Sequence, residues 1–249
     1  MDKDKKVLFM TARLGEHTER YDDVVDCMKK IADMRTELSS DERNLISLGY
    51  KNLVGARRNA WRTVIALEEK ETAQEQLDII RDYKKKIEQE IQKFCDEFLD
   101  LIDKVLLPST TTDEGQVFFY KLKGDYLRYE AEYQENDKKQ EIAKLSEEAY
   151  SKATEIAQRS LKTTNPIRLG LALNFSVFYY EILTNQDKAC DIAKRAFDDA
   201  VIDLDGLSDE TYADASMILQ LIKENLNLWN QDFQESDDDD FDDDDDDDN

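Results

Sequence analysis

Lys51, Arg58 and Arg62 stand seven and eleven positions apart. On a helix turning about 100° per residue they fall within about 40° of one another and make one basic stripe. Arg57 is turned about 100° away from Arg58 and points elsewhere. A second set follows helical spacing between Lys121 and Tyr133, where Lys121, Asp125, Arg128 and Tyr129 share a face. Such sets suit an anion with several acceptor oxygens. Arg128 offers a fork of donors, Tyr129 a phenolic O–H, and Asp125 a carboxylate that orients the cations. The ordinary alternatives are a solvated charged face for the first set and an amphipathic helix with a Tyr-rich buried edge for the second.

Two amides stand out next. Residues 169–181, LGLALNFSVFYYE, are far more apolar than their neighbours and must be largely buried, yet Asn174, Val177 and Glu181 lie along one side. Near the other end, Ile218, Leu221, Asn225, Leu228 and Trp229 repeat the combination of apolar positions with one amide. Core packing accounts for the apolar members, but an amide on an apolar face needs partners.

Catalytic chemistry has little to work with. The one histidine, His17, lies in a polar stretch without metal-ligand spacing around it, and Cys27, Cys95 and Cys190 form no CxxC or Cys/His cluster. GxSxG, GxGxxG and GxxxxGK[ST] are all absent. Carboxylate pairs signify little among 58 Asp and Glu. The expectation is a chain that is not an enzyme and takes no cofactor and no metal; the Asp run near its end lacks the Gly and terminal Glu of an EF-hand.

The formal charge of −24 tells against nucleic acid as a partner, since such a field repels a phosphate backbone. Residues 232–248 carry 13 of the negatives, so the remainder is acidic too and an anion site must be a local basic island. No apolar run is long enough for a signal peptide or a membrane span. A cytoplasmic location, or cytoplasmic and nuclear, is expected, with no membrane insertion.

These side chains must be positioned by helices. Seven Gly and two Pro leave little material for hairpins, whereas Ala, Leu, Glu, Lys, Gln and Arg fill most segments. Pro108 ends one helical run and Pro166 opens another, and Ser39 with Glu42 has capping-box spacing. The pattern predicts an all-α chain with nine helices near residues 3–15, 19–34, 40–70, 74–107, 114–135, 138–161, 167–184, 187–203 and 209–231. Short links favour antiparallel neighbours in a layered array, a single domain over 1–231. Ala149, Tyr150 and Ala153, and Ala189, Ala193 and Ala196, are TPR-like pieces, but no 34-residue period persists. Residues 232–249, almost pure Asp, read as a disordered acidic tail.

Residues 43–58, RNLISLGYKNLVGARR, and 212–229, YADASMILQLIKENLNLW, resemble the two signature segments of the 14-3-3 family. Residues 165–183, NPIRLGLALNFSVFYYEIL, resemble it more closely still, and GDYLRY at 124–129 and ERYDD at 19–23 extend the likeness over about residues 3–231 in one register. The resemblance implies a concave, cup-shaped subunit of nine helices that dimerises through its N-terminal helices. Its amphipathic groove would bind phosphoserine or phosphothreonine segments of client proteins and so alter their activity, location or assembly. By the same resemblance Lys51, Arg58, Arg128 and Tyr129 bind phosphate, and Arg62 and Lys121 are further basic groove positions. Asn174 and Asn225 hold peptide backbone with Glu181 and Trp229 nearby, and Leu173, Val177, Ile218 and Leu221 form the apolar wall. A phosphate-independent helical scaffold or acidic chaperone would account for the fold and charge alone.

For the dimer, with itself or a paralogue, the resemblance pairs Arg20 with Glu90 and Asp23 with Lys86 across subunits, around Leu14, Val64 and Tyr83. Ala60 stands where many members carry a serine whose phosphorylation loosens the dimer, so that switch is expected to be missing. The Asp tail is either a solubilising extension or a competitor drawn to the basic groove.

Overall fold

The computed structural model describes residues 3–204 and 208–239. These residues form nine helices and no strand: α1 (Lys3–His17), α2 (Tyr21–Ala32), α3 (Ser40–Glu68), α4 (Gln74–Leu101), α5 (Asp113–Ala131), α6 (Asn136–Ser160), α7 (Pro166–Glu181), α8 (Gln186–Ile202) and α9 (Asp209–Asp239). The all-α expectation holds. The described residues divide into two compact units, one up to Ala149 and the other from Tyr150.

In the first unit, α3 begins where the sequence says it should. Ser39 Oγ accepts from the Glu42 amide at 3.3 Å while Glu42 Oε2 accepts from the Ser39 amide at 2.9 Å, so two orphan donors of the helix start are satisfied reciprocally. Pro108 leaves a different trace. Lacking an N–H, it cannot bond the carbonyl of Lys104, and α4 passes into a π turn (Ile102–Leu106) before ending at Leu107–Ser109. Arg35 Nη1 donates to that freed Lys104 carbonyl at 3.2 Å.

The core of this unit stacks Tyr50 on Phe98 at 4.1 Å between ring centroids, with Tyr126 edge-on to Phe98 at 4.7 Å. Tyr50 donates its O–H to Glu97 Oε1 at 2.7 Å, which also accepts from Lys29 at 2.9 Å. Gly49 lets α2 and α3 close up, since a Cβ there would lie 2.9 Å from Val25 Cγ2. Together these contacts fix α3, α4 and α5, the helices that carry the basic residues.

In the second unit Asn165 caps α7 by accepting the amides of Ile167 and Arg168, and Pro166 occupies its first turn. The rings of Tyr150, Phe175, Phe178 and Tyr179 pack with centroids 4.9–6.2 Å apart. Small residues of α8, Ala189, Ala193 and Ala200, are fully buried and allow close helix approach. Helix α9 runs to Asp239, past the expected end near 231, through a segment with no Gly or Pro to stop it. The remainder of the acidic tail, residues 240–249, lies outside the described residues.

Candidate functional site

Within the first unit the two basic sets converge on one ring and one carboxylate. The Arg58 guanidinium lies over the Tyr129 ring at 4.0 Å, and that of Arg128 approaches the same ring at 4.9 Å. Glu132, the residue that caps the end of α5, accepts from Arg58 Nε at 3.0 Å and from its Nη2. The same carboxylate has Arg62 and Arg128 nitrogens at 3.8 Å. One acid therefore restrains three guanidinium groups.

Asp125 does for Lys121 what Glu132 does for Arg58. It accepts from Lys121 Nζ at 2.8 Å and has Arg128 Nη2 at 3.9 Å. The orienting role expected of Asp125 matches this geometry. Four cations, Arg58, Arg62, Lys121 and Arg128, face two carboxylates, Glu132 and Asp125, so the patch keeps a positive surplus in an acidic chain. Lys51 stands on the same stripe of α3, exposed and with no ion pair to any described residue. Burial raises the Tyr129 phenol above its ordinary range, Asp125 adds to the rise, and Arg128 and Arg58 oppose it. Its O–H thus stays a hydrogen-bond donor at neutral pH.

Glu132 is the residue that the sequence pattern missed. Its only local signal is its place four residues after Arg128, on the same helical face.

The second unit holds the other expected positions. Leu173, Asn174 and Val177 on α7 and Ile218 and Asn225 on α9 are half-buried, while Glu181 and Leu221 are exposed. Trp229 is instead only 3% exposed. Its ring stacks on Tyr180 at 4.9 Å, and its carbonyl accepts from Gln186 Nε2. It ties α9 to α7.

Among the positions expected at a dimer interface, Leu14 and Tyr83 are exposed, with Val7 and Met10 extending the Leu14 face of α1 and Ile79 four residues before Tyr83 on α4. Ala60 is exposed and Val64 is buried. Within one chain Arg20 pairs with Asp23 at 2.5 Å and Glu90 with Arg57 at 3.0 Å, while Lys86 sits 6.0 Å from the Tyr83 ring centre.

An all-helical chain whose guanidinium groups are held in place by carboxylates defines a class of helical proteins built to receive an anion. The comparisons make this specific. The 14-3-3 protein family model matches residues 11–230. The chain is 48% identical to 14-3-3 protein 7 of Solanum lycopersicum over 238 residues, 94% of each chain. It is 48% identical to the 14-3-3-like protein GF14 epsilon of Arabidopsis thaliana, again over 94% of each. Protein BMH2 of Saccharomyces cerevisiae is 52% identical over 229 residues, 90% of this chain and 84% of the yeast protein. The chain belongs to the 14-3-3 family, non-enzymatic regulatory adaptors that bind phosphoserine and phosphothreonine and form dimers. No described helix is long and apolar enough to cross a membrane.

Proposed function

We propose that Lys51, Arg58, Arg128 and Tyr129 receive the phosphoryl group of the client, with Arg62 and Lys121 enlarging the positive field around it. The observation that carries this reading is Arg58 held between the Tyr129 ring and Glu132, which fixes a guanidinium before any ligand arrives. A phosphorylated side chain brings about −1.5 to −2 charges and three acceptor oxygens. Three or four charge-assisted contacts give at most roughly 5–12 kcal/mol, against an association and ordering cost of about 4–15 kcal/mol. The phosphate alone is therefore a marginal grip. Asn174 and Asn225 supply hydrogen bonds to the client main chain, Leu173, Val177, Ile218 and Leu221 apolar contacts, and Glu181 and Trp229 stand near the amides.

The dimer uses the exposed apolar residues of α1 and α4, including Leu14 and Tyr83, with Ala60 and Val64 on α3 in the same contact. On assembly Arg20 and Asp23 exchange their mutual pairing for Glu90 and Lys86 of the second subunit, which is a copy of this chain or a paralogue. Two linked sites add about 10² to 10⁴ in avidity for a doubly phosphorylated client. No phosphorylation switch operates at Ala60. The protein works in the cytoplasm, or in cytoplasm and nucleus, without binding nucleic acid. Its Asp tail competes for the cation patch, so a chain ending at Gln234 binds phosphopeptide more tightly, most of all at low salt.

The experiment is a titration with matched phosphorylated and unphosphorylated peptides, repeated with Lys51→Glu. Strong preference for the phosphorylated peptide, lost in the variant, is the expected result. Equal binding of both peptides by the native chain sinks the reading.

A further inference from the structure

Glu130 is one of the few acids this fold buries, 4% exposed on α5, and its Oε1 has no hydrogen-bond partner. The polar side chains that act on its carboxyl include Asp96 and Gln92. Gln92 has little more to offer, since its Oε1 already accepts from Tyr133 at 2.8 Å and its Nε2 donates to Asp96 at 3.0 Å. The titratable and charged groups that act on Glu130 or respond to it are Asp96 and Cys95 on α4, Tyr133 just after α5, and Lys138 on α6. Lys138 is the one cation in that set. It attracts the anion without hydrogen-bonding it.

The charge of Asp96 repels a second anion and so favours the protonated form of the more buried Glu130. A neutral Glu130 leaves only a weak carbonyl acceptor unpaired. An ionised Glu130 would leave a charged oxygen buried and unpaired, a much larger penalty. The charge matters to the basic patch as well. On α5 Glu130 directly follows Tyr129 and stands two residues from both Arg128 and Glu132, the residues of the guanidinium clamp.

We propose that Glu130 is held as a neutral carboxyl in the fold, and that its ionisation adds a negative charge next to Tyr129 on α5 and weakens phosphate binding at the cation patch. The binding half of this rests on the assignment of Lys51, Arg58, Arg128 and Tyr129 to the phosphoryl group. The protonation half stands on the burial of Glu130 and its unpaired oxygen. Burial and the Asp96 charge raise the Glu130 acid to about 7, so the exchange falls within the range of cellular pH.

Carbon-13 NMR of the native chain labelled at glutamate Cδ reads the proton directly. One carboxyl should titrate near neutrality, be missing in Glu130→Gln, and move to lower pH in Asp96→Asn, which removes the neighbouring charge while leaving Glu130 in place. Phosphopeptide affinities of the native chain and Glu130→Gln should coincide at pH 6. At pH 8 the variant should bind about two- to fivefold more tightly, the effect of one charge screened by protein and water. Using the same peptide for both cancels the titration of its own phosphate. A Glu130 midpoint below about 5 overturns the proposal, since free carboxylates titrate there. An affinity ratio constant from pH 6 to 8 overturns the coupling. If neither chain prefers the phosphorylated peptide, the assignment of the phosphate residues fails instead, and the NMR midpoint still decides the state of Glu130.

Discussion

Glu132 grips Arg58 with both of its oxygens, accepting from Nε at 3.0 Å and from Nη2, although the two residues lie 74 positions apart in sequence. The clamp stands in, before binding, for the ligand that Arg58 is proposed to meet. Glu132→Gln removes the anion and leaves Arg58, Arg62 and Arg128 with like charges facing one another. We expect a stability loss of about 1–3 kcal/mol, below the 3–5 kcal/mol of a fully buried broken pair because Arg62 is solvated. A bound phosphate would replace the missing charge. The rise in melting temperature on adding phosphopeptide should therefore be larger for the variant than for the native chain, and an equal rise in both would show that the clamp and the ligand do not compete for the same cations.

Lys51 allows binding to be separated from folding, since it is exposed and in no ion pair with the described residues. Lys51→Glu should leave the melting temperature within a degree or two, as surface changes away from specific contacts usually do. Reversing the charge removes one attraction and adds one repulsion, so phosphopeptide affinity should fall by about tenfold or more. Isothermal titration with a melting curve on the same sample tests both halves. A large drop in melting temperature would place Lys51 in the fold rather than at the ligand.

What could be read from residues alone was local. Ser39 and Glu42 announced the start of α3, and Asn165 with Pro166 the start of α7, because each cap involves neighbours in sequence. The basic stripes were legible for the same reason, as helical geometry maps spacing onto a face. Pro108 signalled a stop, but the π turn before it and Arg35 reaching the Lys104 carbonyl depend on packing between distant segments. Glu132 was hidden among many acids, and only folding brings it to Arg58. Asn174 and Asn225 looked out of place on apolar faces, and Trp229 read as an apolar core position, but only folding shows that its partner is the Tyr180 ring.

Tyr129 combines a ring that supports two guanidinium groups with an O–H available to a ligand. Tyr129→Phe retains the ring, so Arg58 and Arg128 keep their stacking and stability should change by less than about 0.5 kcal/mol. It deletes one hydrogen bond to a charged group, about 1.5–3 kcal/mol, and phosphopeptide affinity should weaken by roughly ten- to a hundredfold. Tyr129→Ala should weaken it further by releasing the cations. If the Phe variant binds as well as the native chain, the phenol does not touch the phosphate.

The apolar face of α1 offers a test of assembly. Val7, Met10 and Leu14 are each more than half exposed and lie three and four residues apart, as does Tyr83 on α4 relative to Ile79. Leu14→Glu puts a charge into the proposed contact, where burial would demand a partner it lacks. Sedimentation at micromolar concentration should show a monomer for the variant and a dimer for the native chain, with unchanged helicity. A variant that stays dimeric would move the contact away from α1. Ala60→Asp at the same proposed contact should loosen the dimer if Ala60 lies within it, whereas phosphorylation of the native chain has no hydroxyl there to act on.

The pH dependence of stability isolates Glu130 from any ligand. Its folded-state acid lies at about 7, above the unfolded value near 4.5, so the folded chain binds the extra proton between those limits. Folding stability should therefore fall as pH rises from about 4.5 to 7 and then level off, opposite in sign to the usual salt-bridged carboxylate. The loss attributable to this residue is on the order of 3 kcal/mol by linkage. Glu37 supplies the contrast, because hydrogen bonds from Thr111 and Thr112 hold its acid down at about 2, and its contribution disappears only in strong acid. Denaturant unfolding of the native chain and Glu130→Gln across pH 5 to 8 gives the difference curve, in which the background from all other groups cancels. The variant should gain relative stability steadily to pH 7, and a flat difference would show that Glu130 ionises as freely in the folded chain as in the unfolded one.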